Sequence, residues 1–162
     1  MNQILLGVGD YGVTNKPGSA LKTLALGSCV AVIIMDANTR TIGMDHIALP
    51  DSSINQERAK EKPGYFSDTG IVSLLRAMRG VGANVVGPGV IIKLVGGANV
   101  MDTNGTFNIG KRNVLAIKKN LWRFKLGPVA EDVGGKISRT VTVDVDTGRV
   151  IITSPGRDPW EI

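Results

Sequence analysis

A chain of 162 residues, 43% of them hydrophobic, is long enough for one domain with a substantial core and short for two, so residues 1–162 are read as one unit. Its net charge of +5 comes from scattered Lys and Arg, and aromatics make up only 4% of the chain, a pairing that argues against a nucleic-acid partner. One cysteine and one histidine exclude an internal disulfide and cysteine-held zinc; a free thiol, with no signal-like or membrane-spanning run, leads to the expectation of a cytoplasmic protein.

Residues 2–8 read as a first strand, followed by a turn-rich loop containing Gly9, Asp10, Gly12, Asn15, Pro17 and Gly18. From 20 to 26 the pattern alternates, with Leu21, Thr23 and Ala25 on one face and Lys22, Leu24 and Leu26 on the other. Gly27 and Ser28 then interrupt the apolar pattern just before Cys29, as a chain does when it bends its backbone close to something. The run 30–35 is continuously apolar, as in a strand covered on both faces, and a turn over 36–40 leads into a second strand at 41–49. Paired antiparallel, these strands place Cys29 and His46 opposite each other, at matching distances from the turn. A buried lone cysteine can be an inert packing residue. Together with a histidine it is also the minimum pair for thiolate chemistry.

Pro50 ends that strand, and the polar stretch 51–64 reads as a mobile surface loop. Asp68 reads as the N-cap of a helix with Ile71, Leu74, Leu75 and Met78 on one face. A strand at 90–95 runs into Gly96-Gly97-Ala98, where small residues permit close backbone approach or simply a tight turn. A second helix opens at Asn108 or Gly110 and buries Val114, Ile117 and Leu121; Lys118, Lys119, Arg123 and Lys125 form a solvated face or a surface for an acidic partner. Residues 138–145 and 149–153 form a closing hairpin, and 151–162 contains a loose tail. The sum is an α+β fold. A metal site on His46 with Asp45 or Asp51 is disfavoured, because one histidine leaves too few nitrogen or sulfur ligands, and no cofactor is expected.

Six segments, in order, resemble the CheD family of chemoreceptor glutamine deamidases: Leu26-Gly-Ser-Cys-Val30, Gly43-Met-Asp-His-Ile-Ala-Leu-Pro50, Asp68 before its helix, Gly96-Gly97-Ala98, Ile109-Gly-Lys-Arg-Asn113 and Asp132-Val-Gly-Gly135. Val95 stands where such proteins often carry phenylalanine. The resemblance implies a layered sandwich of β-sheets with flanking helices, similar to the catalytic domain of the cytotoxic necrotizing factor toxins. It implies hydrolysis of receptor glutamine amides to glutamate and ammonia, and in some systems of receptor methyl esters. Chemoreceptors would be the substrates and a CheC-type phosphatase a partner. Cys29 would be the nucleophile, His46 the base and Thr23 the group orienting the histidine. Ser28, Gly96 and Gly97 are candidates for oxyanion or substrate contact. An imidazolium beside the sulfur would lower the thiol pKa, and a Thr23 hydroxyl or carbonyl could accept the other ring N–H. The competing reading is a non-catalytic module that binds CheC or receptors and uses Cys29 only for packing.

Overall fold

The structure, a computed structural model, describes residues 2–100 and 107–162. In chain order its strands are β1 (Asn2–Leu6), β2 (Tyr11–Thr14), β3 (Ser19–Leu26), β4 (Val30–Asp36), β5 (Thr41–Ile47), β6 (Val90–Gly96), β7 (Ala130–Val133), β8 (Arg139–Asp144), β9 (Val150–Thr153) and β10 (Trp160–Glu161). The helices are α1 (Gln56–Glu61), α2 (Ser67–Gly80) and α3 (Ile109–Trp122). One five-stranded sheet runs β1-β3-β8-β9-β10 and the other β2-β5-β4-β6-β7. They make an α+β stack of sheet, sheet and helices.

The continuous apolar run of β4 explains the stacking. Ala31, Ile33 and Met35 point into the core between the sheets, beside Leu21, Met44, Val141 and Val143, whereas Val30, Val32 and Ile34 point into a second core with Ile71, Leu74, Val114 and Ile117 of α2 and α3. Alternation on a doubly covered strand therefore buries every position. β8 at the outer sheet alternates buried and half-buried instead, since only one of its faces is covered. No helix among the described residues is long and apolar enough to cross a membrane.

Several expectations change. Residues 11–14 form β2, paired antiparallel with β5; Gly12 and the surrounding turn residues hide a short strand whose partner lies far along the chain. The stretch 51–64 is not a mobile loop: Asp51 caps a 3-10 turn at Ser52–Ile54, Asn55 caps α1, and a second 3-10 turn spans Pro63–Tyr65. Asp68 is not the N-cap of α2, which is Phe66; it sits in the first turn and accepts hydrogen bonds from the Ser52 amide (2.9 Å) and hydroxyl (2.6 Å). Nor is 151–162 a loose tail. β10 pairs with β9, Trp160 and Ile162 pack on the inter-sheet core, Trp160 Nε1 donates to Asp132, and Lys93 Nζ donates to the Ile162 carbonyl (2.7 Å). The face assignment in 20–26 slips as well. A bulge follows Thr23, with Ala25 in the left-handed region (φ 52°), so Leu26 returns to the core while Leu24 and Ala25 face water.

Asp45 is the costly residue of this framework. It is fully buried on the α2 side of β5, against Gly64 and Gly70; a Cβ at Gly64 would lie 2.8 Å from its Oδ1, and one at Gly70 would collide with its Oδ2. Among the described residues neither carboxylate oxygen has a hydrogen-bond partner. Burial, and secondarily the Asp10 charge, holds this carboxyl well above the usual range. Because the folded pKa is raised, the stability associated with neutral Asp45 is complete below the unfolded value of about 3.9 and is lost as pH rises through the folded one. Asp45→Asn should therefore remain stable toward high pH where the native chain weakens. Thermal unfolding curves of the two proteins from acid to alkaline pH test this, and parallel curves would refute it.

Candidate functional site

The site forms where β3, β4 and β5 end together at one edge of the sandwich. In the β4–β5 ladder Val30 pairs with Ile47 and Ala31 with His46, so Cys29, just ahead of β4, falls diagonally from His46 rather than directly opposite. Residues 29, 31 and 46 share the inter-sheet face, and diagonal neighbours in a ladder lie about 7–8 Å apart, within reach of an imidazole. Cys29 is half-buried and His46 buried.

Thr23 reaches the same point from the other sheet. Its Oγ1 lies 2.6 Å from His46 Nδ1 and donates to the Leu6 carbonyl at 2.7 Å. Leu6 is the register partner of Thr23 in the parallel β1–β3 pairing, so the acceptor is held by the sheet itself. A hydroxyl has a single proton, and with that proton on Leu6 the oxygen must accept from Nδ1–H. The ring is thereby held as the Nδ1–H tautomer, leaving the Nε2 lone pair for a proton from another group. Asp45 plays no part here, since it points to the α2 side.

Burial shapes the chemistry of the pair. Desolvation pushes the Cys29 thiol up, only partly opposed by its own backbone N–H. Desolvation also pushes the His46 imidazole down to about 4, with the Asp10 charge pulling weakly the other way. Both shifts favour neutral forms. They run against the thiolate–imidazolium pair that an imidazolium beside the sulfur would give.

Behind Cys29 the backbone is tightly fixed. The Gly27 carbonyl accepts from the Ala98 amide (2.8 Å), the Ser28 carbonyl from Asn113 Nδ2 (2.9 Å) and the Cys29 carbonyl from the Gly97 amide (2.8 Å). Asn113 Nδ2 also donates to the Ala48 carbonyl (3.0 Å), joining the Cys29 loop to the chain after His46. Gly96 (φ 119°) and Gly97 (φ 64°) pack this loop from behind: a Cβ on Gly96 would collide with the Cys29 carbonyl oxygen, and one on Gly97 would sit 2.8 Å from Val114 Cγ2. Gly97 therefore spends its amide on Cys29. Arg139, buried against Asp132 (2.9 Å) and the Gly134 carbonyl (2.9 Å), steadies the far side of Gly96. Sequence reasoning includes Asn113 in the family segment 109–113 without giving it a role, and misses the Leu6 carbonyl. For Asn113 the available signal is a polar residue, like Asn120, on an otherwise apolar buried side of the helix; for a backbone carbonyl there is none.

With this geometry in place, comparison with known proteins is decisive. Residues 48–154 match the family model described as CheD chemotactic sensory transduction. The chain belongs to the CheD family. Thr23, Cys29 and His46 precede the matched segment, but full-length relatives span them. A probable chemoreceptor glutamine deamidase CheD of Syntrophotalea carbinolica is 51% identical over all of both chains. The one from Solibacter usitatus is 42% identical over 97% of this chain and 92% of its own. The chemoreceptor glutamine deamidase CheD of Thermotoga maritima is 38% identical over 94% of this chain and 92% of its own.

Gly96 and Gly97 of this CheD segment are expected to be intolerant of side chains. Gly96→Ala should cost roughly 1–3 kcal/mol, from a strained backbone and the displaced Cys29 carbonyl, and should change the alkylation rate of the thiol. Gly127→Ala, at a position with open space around it, is the control and should leave both unchanged. Thermal unfolding together with iodoacetamide kinetics reads the difference.

Proposed function

We propose that this chain is a chemoreceptor glutamine deamidase working through Cys29, His46 and Thr23. The observation that carries the reading is the Leu6 carbonyl–Thr23 hydroxyl–His46 Nδ1 chain, which leaves Nε2 unprotonated on a ring that shares the inter-sheet face with the only cysteine. As Cys29 Sγ attacks the glutamine Cδ, its proton passes to Nε2, so a thiolate forms only as the S–C bond does. The imidazolium, now hydrogen-bonded to Thr23, gives that proton to the departing nitrogen, and ammonia leaves a thioester. Water then attacks, losing a proton to Nε2, and the thioester collapses to glutamate and the thiol. A hydroxyl stabilises the imidazolium less than a carboxylate would, so Thr23 chiefly holds ring and tautomer in place.

The oxyanion needs donors already fixed in place. Trans peptide planes point each amide away from the preceding carbonyl. With the Gly27 and Ser28 carbonyls bonded toward the Gly97–Ala98 segment and α3, the amides of Ser28 and Cys29 face the other way and are the donors assigned to this role. The Ser28 side chain stands beside them. The same chemistry would hydrolyse a glutamate methyl ester, whose leaving group also takes its proton from His46. The reading carries with it a cytoplasmic location and a CheC-type phosphatase as protein partner.

Cys29→Ser should abolish the amide-to-acid mass shift in a receptor fragment while partner binding survives in a pull-down; retained turnover would refute the thiol mechanism, and loss of binding with an intact fold would place Cys29 in a partner interface. Thr23→Val should lower kcat by about ten- to a hundredfold and Thr23→Ser much less. Equal rates in all three proteins would remove the hydroxyl from the mechanism. Activity of the native enzyme should fall as pH drops through about 4, where His46 protonates. Alkylation of Cys29 should rise only above the ordinary thiol range, because burial raises its pKa.

A further inference from the structure

An opening beside the site is floored by His46 and bordered by Leu5, Leu6, Gly7, Val8 and Leu24. Its volume is about 180 Å³, less than the roughly 300–1,000 Å³ of pockets that enclose a whole small molecule. Such a space receives one side chain and leaves the rest of its owner outside, so the surrounding surface meets the neighbours of the reacting residue. That surface is apolar where water would be expected. Leu5 is 60% exposed, Val8 45% and Leu24 47%.

Single exposed aliphatics need no explanation, but three around one opening do. Each is presented by a specific feature of the backbone. Leu5 lies on edge strand β1, in register with Lys22 of β3, and Leu24 follows two positions later on the same outward face. The bulge over Leu24 and Ala25, secured by the Ala25 amide on Thr140 Oγ1 (3.0 Å), lets Leu26 return to the core while Leu24 stays outside. Val8 belongs to the β1–β2 loop, which is tied to the base itself: the Gly9 amide donates to the His46 carbonyl (2.8 Å) and the His46 amide donates to the Asp10 carbonyl (3.0 Å). The rim is thus held in fixed relation to the catalytic ring.

We propose that Leu5, Val8 and Leu24 form the substrate-seating rim of this deamidase, taking the aliphatic side chains of the protein substrate that flank its target glutamine. The inference rests on the deamidase reading and adds to it a basis for choosing among glutamines. Aliphatic neighbours gain by covering the rim, whereas a lysine would be desolvated against leucine and valine with only the like charge of Lys22 beside it. Glutamines with aliphatic neighbours are favoured over those flanked by Lys.

The test uses the purified full chain and a soluble cytoplasmic fragment of a chemoreceptor, with deamidation followed by mass shift over a range of fragment concentrations. The double variant Leu5→Ser, Leu24→Ser should raise KM by roughly tenfold with kcat far less affected, and Leu24→Met, which keeps the apolar surface, should stay near the native KM. Trp122→Ser, an exposed apolar position on α3, should match the native protein in both parameters. An unchanged KM in the double variant, a loss confined to kcat, or an equal loss in Leu24→Met would overturn the rim. If the native chain produces no mass shift, the deamidase reading itself fails and the rim with it, an outcome separate from an active enzyme indifferent to Leu5 and Leu24.

Discussion

Thr23 has a single hydroxyl proton, and the Leu6 carbonyl takes it. From that one donation follow the tautomer of His46, the nitrogen available as base and the direction from which a proton can reach it. The acceptor is a backbone group fixed by the parallel pairing of β1 with β3, so the orientation of the imidazole is written into the sheet rather than into a second mobile side chain. It also requires the two sheets to stay in contact, since Thr23 belongs to one and His46 to the other.

The rest of the architecture maintains that contact and keeps the Cys29 loop in place. β4 supplies both cores with its alternate residues, and β5 beside it brings His46 to the inter-sheet face while Asp45 faces the helices. The Ala98 amide, Asn113 Nδ2 and the Gly97 amide bind the three successive carbonyls of Gly27, Ser28 and Cys29, with Gly96 packed close behind, so Cys29 sits on a loop with little freedom. The buried Arg139–Asp132 pair extends this support to the C-terminal segment, where Trp160 bonds the same carboxylate. An uncompensated buried charge costs several times what a surface pair contributes, which explains why so many of the polar groups around this edge are matched.

Dryness at the site has a chemical consequence. It favours the neutral forms of thiol and imidazole, because desolvation penalises the charged form of each. The bulge after Thr23 serves the same edge twice. It restores Leu26 to the core below the Cys29 loop and leaves Leu24 outside, beside the opening above His46.

Local pattern was enough to identify the long strands, both main helices, the cysteine and the histidine, because continuous burial in β4 and helical spacing in α2 and α3 are imposed by the same cores that those residues build. The motifs around Cys29, His46 and Gly96 pointed to the family on their own. Short elements were invisible: β2, β7 and β10 are strands only because a distant neighbour supplies their hydrogen bonds, and α1 survives by capping and docking rather than by an apolar stripe. The phase of β3 after Thr23 could not be read either, since a bulge is decided by the pairing partner. The sequence by itself determined which groups could do the chemistry. Only the tertiary structure decided that the Thr23 hydroxyl holds the ring, that Asn113, Gly97 and Ala98 hold the Cys29 loop and that burial favours the neutral forms of thiol and imidazole, because each depends on hydrogen bonds and desolvation between segments far apart in the chain.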